Sequence, residues 1–167
     1  MANDFSKAVA DFALEVQEAD EKIIKGVTVA LFRAVILSSP VDTGRFRANW
    51  FLGGIVASNL QTTRKDKSGT DTINKMASGV NQAEGIPEEF SLTNNLPYSE
   101  VIEFGQYPNP VKQGTKIPKK YGGKATYEKR SAGGFSKLAP QGVVRVNATR
   151  FASLLEAEAA RVGYGSI

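Results

Sequence analysis

The chain has 167 residues, enough for one domain able to bury roughly 70% of its unfolded surface, and its composition is that of an ordinary globular protein. It contains no Cys, which excludes disulfides, zinc–thiolate sites and thiol nucleophiles, and no His, which removes the commonest metal ligand and general base. The net charge is only +4, but it is unevenly distributed: residues 1–41 hold six acids against four bases. The N-terminus shows no signal-type apolar core, and no apolar run reaches the ~20 residues that span a bilayer. A protein made in a cytoplasm and not inserted in a membrane is expected.

From Asp4 to Ser38 the apolar positions Phe5, Val9, Phe12, Val16, Ala19, Ile23, Val27, Leu31, Ala34 and Leu37 advance in steps of three and four. That period predicts one amphipathic helix, about 50 Å long at 1.5 Å per residue. Such a helix outruns one face of a domain this size. Two readings of its N-terminal half stay open: a solvated outer face, or a projection that packs on a neighbouring subunit.

Pro40 stops this pattern, since it lacks the amide a helix needs and pushes Ser39 out of the helical region. In the corner that follows, Asp42 or Thr43 is placed to cap a new short helix and Gly44 to allow a tight turn. Phe46 and Trp50, four apart, would share one face of that helix, with Trp50 buried against the long one. Residues 51–58 read as a strand with a Gly53–Gly54 bulge or close backbone approach, and residues 59–70 as a polar loop. Ile73, Met76, Ala77 and Val80 mark a short helix capped by Thr70 or Asp71. A second strand is expected near 88–94.

Leu96-Pro97-Tyr98-Ser99-Glu100-Val101-Ile102-Glu103-Phe104-Gly105 predicts a short helix begun at Pro97 and stopped at Gly105. Glu103 lies beside its apolar face. Arg45 or Arg47 is its candidate partner, with plain solvent exposure as the alternative. Residues 106–137 show no period and carry eight bases against the single acid Glu128, a net +7. Lys112, Lys116, Lys119, Lys120, Lys124, Lys129 and Arg130 are the candidate assembly or DNA-facing residues. Tyr107, Tyr121, Tyr127 and Phe135 interleave with the bases, a pattern compatible with nucleic-acid contact or with anchoring a long loop. Residues 139–147 read as a turn and short strand, with Asn147 capping a last helix (Phe151, Leu154, Leu155, Ala159, Val162) that ends at Gly163.

No phosphate-binding loop or dinucleotide glycine pattern is present, and nothing marks a catalytic pair; no cofactor, metal site or enzymatic activity is expected.

Three stretches, taken in order, resemble one family: Pro40-Val41-Asp42-Thr43-Gly44-Arg45-Phe46-Arg47 with Trp50; Tyr98 to Glu103-Phe104-Gly105; and Ala139-Pro140-Gln141-Gly142-Val143-Val144-Arg145-Val146. They look like the tail completion or head–tail joining proteins of long-tailed bacteriophages, especially the lambda-type minor tail component. The resemblance implies a single α+β domain over residues 1–167, a small antiparallel sheet flanked by a long N-terminal helix, short helices and a C-terminal helix. It also implies a structural virion protein of the neck or upper tail, assembled in the host cytoplasm as a ring, hexameric to follow the tail tube. Its partners would be further copies of itself, the tail terminator, tail tube or head–tail connector proteins, and phage DNA passing non-specifically through the channel. The other reading is a stand-alone nucleic-acid-binding module that uses the basic 106–137 segment.

Overall fold

The computed structural model describes residues 2–105, 134–136 and 138–163. Its architecture is α+β, a two-stranded antiparallel sheet among helices, with a long helix at the N-terminus and another at the C-terminus. Helix α1 runs unbroken from Ala2 to Ser38, 37 residues or about 55 Å. It ends where Pro40 requires. Ser38 Oγ and Ser39 Oγ donate back to the carbonyls of Ala34 and Val35 (2.8 and 2.9 Å), bonds that compete with continuation of the helix.

Beyond the corner come a single 3₁₀ turn at Arg47–Asn49 and then β1, Trp50–Gly53. β1 pairs with β2, Ser91–Asn94, in the register Trp50↔Asn94 to Gly53↔Ser91. Both strands are shorter than the alternation predicts. Residues 54–58 leave the ladder and are held instead by side chains of β2 and its end: Ser91 Oγ donates to the Gly54 carbonyl, and Thr93 Oγ1 and Asn95 Nδ2 to that of Ser58 (2.8–2.9 Å). Between the strands lies α2, Thr70–Gln82. After β2 come α3 (Ser99–Phe104), α4 (Val144–Ala148) and α5 (Phe151–Val162).

The segment read as a short strand after Pro140 is α4, a helix. Its first amides are taken by a carboxylate from elsewhere in the chain, described below, and that external acceptor starts a helix where the Val-rich sequence favours a strand. Asn147 accordingly does not cap α5. It sits inside α4, 4% exposed, donating through Nδ2 to Val143 O and Ser38 Oγ (both 2.7 Å). Gly163 does end α5 in the left-handed conformation.

One core joins these pieces. Val35 and Ile36 of α1, Phe46 and Trp50 of the corner, Met76 and Val80 of α2, Leu96, Ala139 and Val143 pack together, with Ile73, Leu92 and Ile102 against them. α5 and α2 both pack on α1, and α2 follows it from Gly69, beside Ile36, to Ala83, whose carbonyl accepts from Lys25 Nζ. All of this covers only the C-terminal half of α1. Toward the N-terminus, Phe5, Val9 and Phe12 are 73%, 51% and 58% exposed.

Candidate assembly surface and the joints that hold it

The corner is built on glycine and arginine. Gly44 has φ +87°, and a Cβ there would stand 2.7 Å from the backbone of Asp66 and Lys67, so only glycine lets the two loops touch. Its carbonyl accepts from the amides of Ala48 and Asp66 (3.0 and 3.1 Å). Asp42 caps nothing. It is exposed, and the 3₁₀ turn has no side-chain cap. Thr43 Oγ1 accepts only a long, exposed bond from the Arg45 amide (3.3 Å). The amides of the turn are met by backbone carbonyls instead, Ala48 N–H by Gly44 and Asn49 N–H by Phe46, while Arg47 serves the carbonyls at the end of α1. Its Nη2 donates to the carbonyls of Leu37 and Ser39 (2.6 and 2.9 Å) and its Nη1 to those of Lys67 and Ser68 (2.6 and 3.3 Å). One guanidinium thus satisfies carbonyls left free at the end of α1 and ties them to the 59–69 loop. Burial lowers its pKa, against the opposing charge of Asp66.

The aromatic pair packs together as expected, but not on a helix face, because the 3₁₀ turn ends at Asn49 and Trp50 opens β1. Phe46 and Trp50 are both buried, 5.8 Å apart in an edge-to-face arrangement, and Tyr98 joins Phe46 at 5.9 Å. Trp50 Nε1 donates to Ser39 Oγ (2.7 Å), so the buried indole has its partner just past the end of α1.

Two carboxylates act as joints. Asp66, 7% exposed, accepts from Ser68 Oγ, the Gly69 amide, and the amide and hydroxyl of Thr72 (2.8–3.0 Å). It is the acid that caps α2. Neither Thr70 nor Asp71 does so, because the preceding residue, Gly69, has no side chain and sits at φ +80°. Glu103 is the second joint. Its Oε2 accepts from the amides of Val143 and Val144 (2.7 and 2.8 Å), and its Oε1 from the amide and Nε of Arg145 (3.0 and 3.2 Å). Neither Arg45 nor Arg47 pairs with Glu103, and its side chain is only 14% exposed, so the solvated alternative fails too. Arg47 is committed to carbonyls; Arg145 arrives from the other end of the chain. Arg145 also donates to the Glu103 carbonyl (2.6 Å) and lies over the rings of Phe104 and Phe135, at 5.4 and 5.9 Å.

In both carboxyls burial raises the pKa, but the converging donors outweigh it and the net shift is downward. For Asp66 these are the Thr72 amide and hydroxyl, the Gly69 amide and Ser68; for Glu103, the amides of Val143, Arg145 and Val144 with the Arg145 side chain. Tyr98 shifts upward through burial, opposed by the Arg45 charge.

The three separated motifs therefore meet. Pro40, Asp42, Thr43 and Gly44, the Tyr98 and Ile102 face, and Ser136 and Leu138 line one open groove of about 380 Å³. Gly142 touches the Glu103 backbone so closely that a Cβ would stand 2.5 Å from its carbonyl oxygen. Phe104 is exposed, and Gly105 ends α3 by donating to the Val101 carbonyl; its φ is positive, but with ψ −129° it is not the left-handed cap the sequence implies. Lys112, Lys116, Lys119, Lys120, Lys124, Lys129 and Arg130 lie outside the described residues.

Sequence reading gives Arg47 and Asn147 other roles and assigns none to Asn49, Asp66 and Arg145. Asn49 is fully buried, donates to the carbonyls of Arg45 and Thr62, and accepts from the Thr62 amide (2.7–3.0 Å). Only Asp66 had a legible local signal, an Asp followed by Ser, Gly and Thr ahead of a helix.

Among the described residues no group of His, Cys, Asp and Glu is placed to hold a metal ion, and no helix is long and apolar enough to cross a membrane. No protein-family model, curated protein or solved structure matches the chain.

Proposed function

We propose that this chain is a structural protein of a bacteriophage neck or upper tail. It forms a ring that completes the tail and joins it to the head, with DNA passing through the channel. The class comes from the resemblance carried by the three motifs. The observation that carries the assembly role is the N-terminal half of α1: an apolar stripe, Phe5, Val9 and Phe12, that no other described element covers. Single exposed apolar residues are ordinary on a protein surface, but here three stand in one line on a projecting helix. A surface of that kind is stable in water when it is buried on a partner, and a repeated head-to-tail contact between copies gives a ring if the rotation closes. Rigid joints at Asp66 and Glu103 suit a part whose task is to hold shape rather than to turn over substrate.

Electron microscopy of assembled particles, or of the purified protein at high concentration, tests the reading. Closed rings coaxial with the tail are expected. A single asymmetric copy in a reconstructed neck would remove it. The nucleic-acid-binding alternative predicts instead that the isolated protein binds duplex DNA with an affinity falling by orders of magnitude from low to moderate salt.

A further inference from the structure

The bare half of α1 has a polarity beyond its apolar stripe. At about 100° per residue, Asp11, Glu15 and Glu18 fall along one flank of the line through Phe5, Val9 and Phe12, whereas Ala10, Ala13 and Gln17 fall along the other. If two such stripes met antiparallel about a two-fold axis, like flanks would face each other and the acids would repel. In a parallel pair the acids would face the Ala10, Ala13 and Gln17 flank, which offers them no cation, so a cationic surface suits the stripe better than a second stripe.

One exists on the same chain. An open groove of about 500 Å³ runs between the C-terminal half of α1 and the α4–α5 junction, lined by Ala30, Arg33, Ala34, Leu37, Asn147 and Arg150. Ala30 and Ala34 keep its floor low enough for a helix to approach closely. Leu37 offers an apolar contact, 43% exposed. Arg33 and Arg150 are exposed, and neither pairs with a carboxylate among the described residues.

We propose that this groove receives the N-terminal half of α1 from a second copy of the chain. The Phe5–Val9–Phe12 stripe lies over Ala30, Ala34 and Leu37, and the Asp11–Glu15–Glu18 flank faces Arg33 and Arg150. The contact is between copies because α1 is one continuous helix. Its own stripe and groove are held apart by about 20 Å or more along a straight axis, so neither can reach the other. Donor and acceptor are different surfaces, so each copy both gives and receives. Exposed ion pairs add little affinity but set register and direction. The inference rests on the ring reading and names the contact that would build it.

The absence of Cys from the chain makes the test clean. A Glu15→Cys chain mixed with an Arg33→Cys chain under mild oxidant should give a 15–33 disulfide dimer, and a chain carrying both substitutions a ladder. Arg150→Glu in the acceptor should lower the dimer yield severalfold, and Asp11→Lys with Glu18→Lys in the donor should restore it. Leu14→Cys, on the far side of the helix from the stripe, should not cross-link to Arg33→Cys. Predominant 15–15 disulfides, equal yield from Leu14→Cys, or no 15–33 disulfide would overturn the docking, the last leaving the stripe to some other occupant. Rings in micrographs without the 15–33 disulfide would sink the docking alone. A 15–33 ladder without rings would keep the docking and remove the ring.

Discussion

The two halves of α1 share one sequence pattern and meet different fates. Ile23 and Val27 are 6% and 3% exposed, whereas Phe5, Val9 and Phe12, on the same three-and-four spacing, stand in the open; nearer the corner the buried face passes to Val35 and Ile36 and leaves Leu37, the last residue of the predicted stripe, exposed. Periodicity records that a face is apolar; it does not record what covers it. The covering material comes from α2, the corner, residues 139–143 and α5, which are remote in sequence and held in place by the two carboxylate joints. The covered half thus belongs to the core, and the bare half is the surface that the proposed assembly would cover.

The largest effects should fall where the cover is thickest. Trp50→Ala removes a buried ring and orphans its bond to Ser39 Oγ, and should cost about 3–5 kcal/mol of unfolding free energy. Ile36→Ala, at a fully buried position, should cost about 2–5 kcal/mol. Denaturant titration of the monomer measures both. If either proved neutral, the covered half would not be the core, and the contrast with residues 5–16 would collapse.

Next come the joints. Glu103→Gln strips the charge from an acceptor of four hydrogen bonds and should cost about 1–3 kcal/mol at neutral pH. Gly142→Ala should act in the same direction, because φ +84° and the Glu103 carbonyl leave no room for a Cβ. Hydrogen exchange would then quicken in the C-terminal half of α1 and in α4 and α5, leaving residues 5–16 as they were. Equal quickening along all of α1 would show that the halves are not separately supported.

The pH dependence has a fixed sign. Glu103 and Asp66 have depressed pKa values in the folded protein, so their contributions are complete above the ordinary carboxylate range. They are lost as pH falls through the lower, folded values. Wild type should lose stability there, and the deficits of Glu103→Gln and Asp66→Asn relative to it should shrink. Acid titrations of all three, followed by circular dichroism, give the comparison. Deficits that stayed constant on acidification would mean the carboxylates are not ionised acceptors in the fold.

How much of this was readable beforehand follows the same division. The extent of α1, the Pro40 stop, the Phe46–Trp50 pair, α2 and α5 were legible because each rests on local spacing or a local stop. What failed was everything decided across the chain. Asp42 reads as a cap, yet the amides of the turn are met by the Gly44 and Phe46 carbonyls, and the carbonyls at the end of α1 by Arg47, whose reach no propensity encodes. Val143-Val144-Arg145-Val146 looked like a strand until Glu103 supplied its amides with acceptors. Glu103 does need a partner, but its arginine is Arg145 and not one from the corner motif, even though Arg145 is the nearer in sequence to Glu103. Single charged residues carry no mark of the partner they will meet.

The smallest effect on the monomer is the most telling. Phe5→Ser and Phe12→Ser together should change its stability by no more than about 0.5 kcal/mol, since both side chains are exposed and nothing described packs on them. A projecting helical segment of this length is marginal in water without tertiary support, so residues 5–16 should exchange their amide hydrogens quickly in the free protein and residues 27–38 slowly. Burial on a partner would supply the missing support and slow the first set in the assembled state. The doubly substituted protein should therefore unfold like wild type yet fail to assemble, with exchange at residues 5–16 fast under all conditions. If it assembled normally, or if the stripe were already protected in the monomer, the bare half of α1 would be a solvated end rather than an interface.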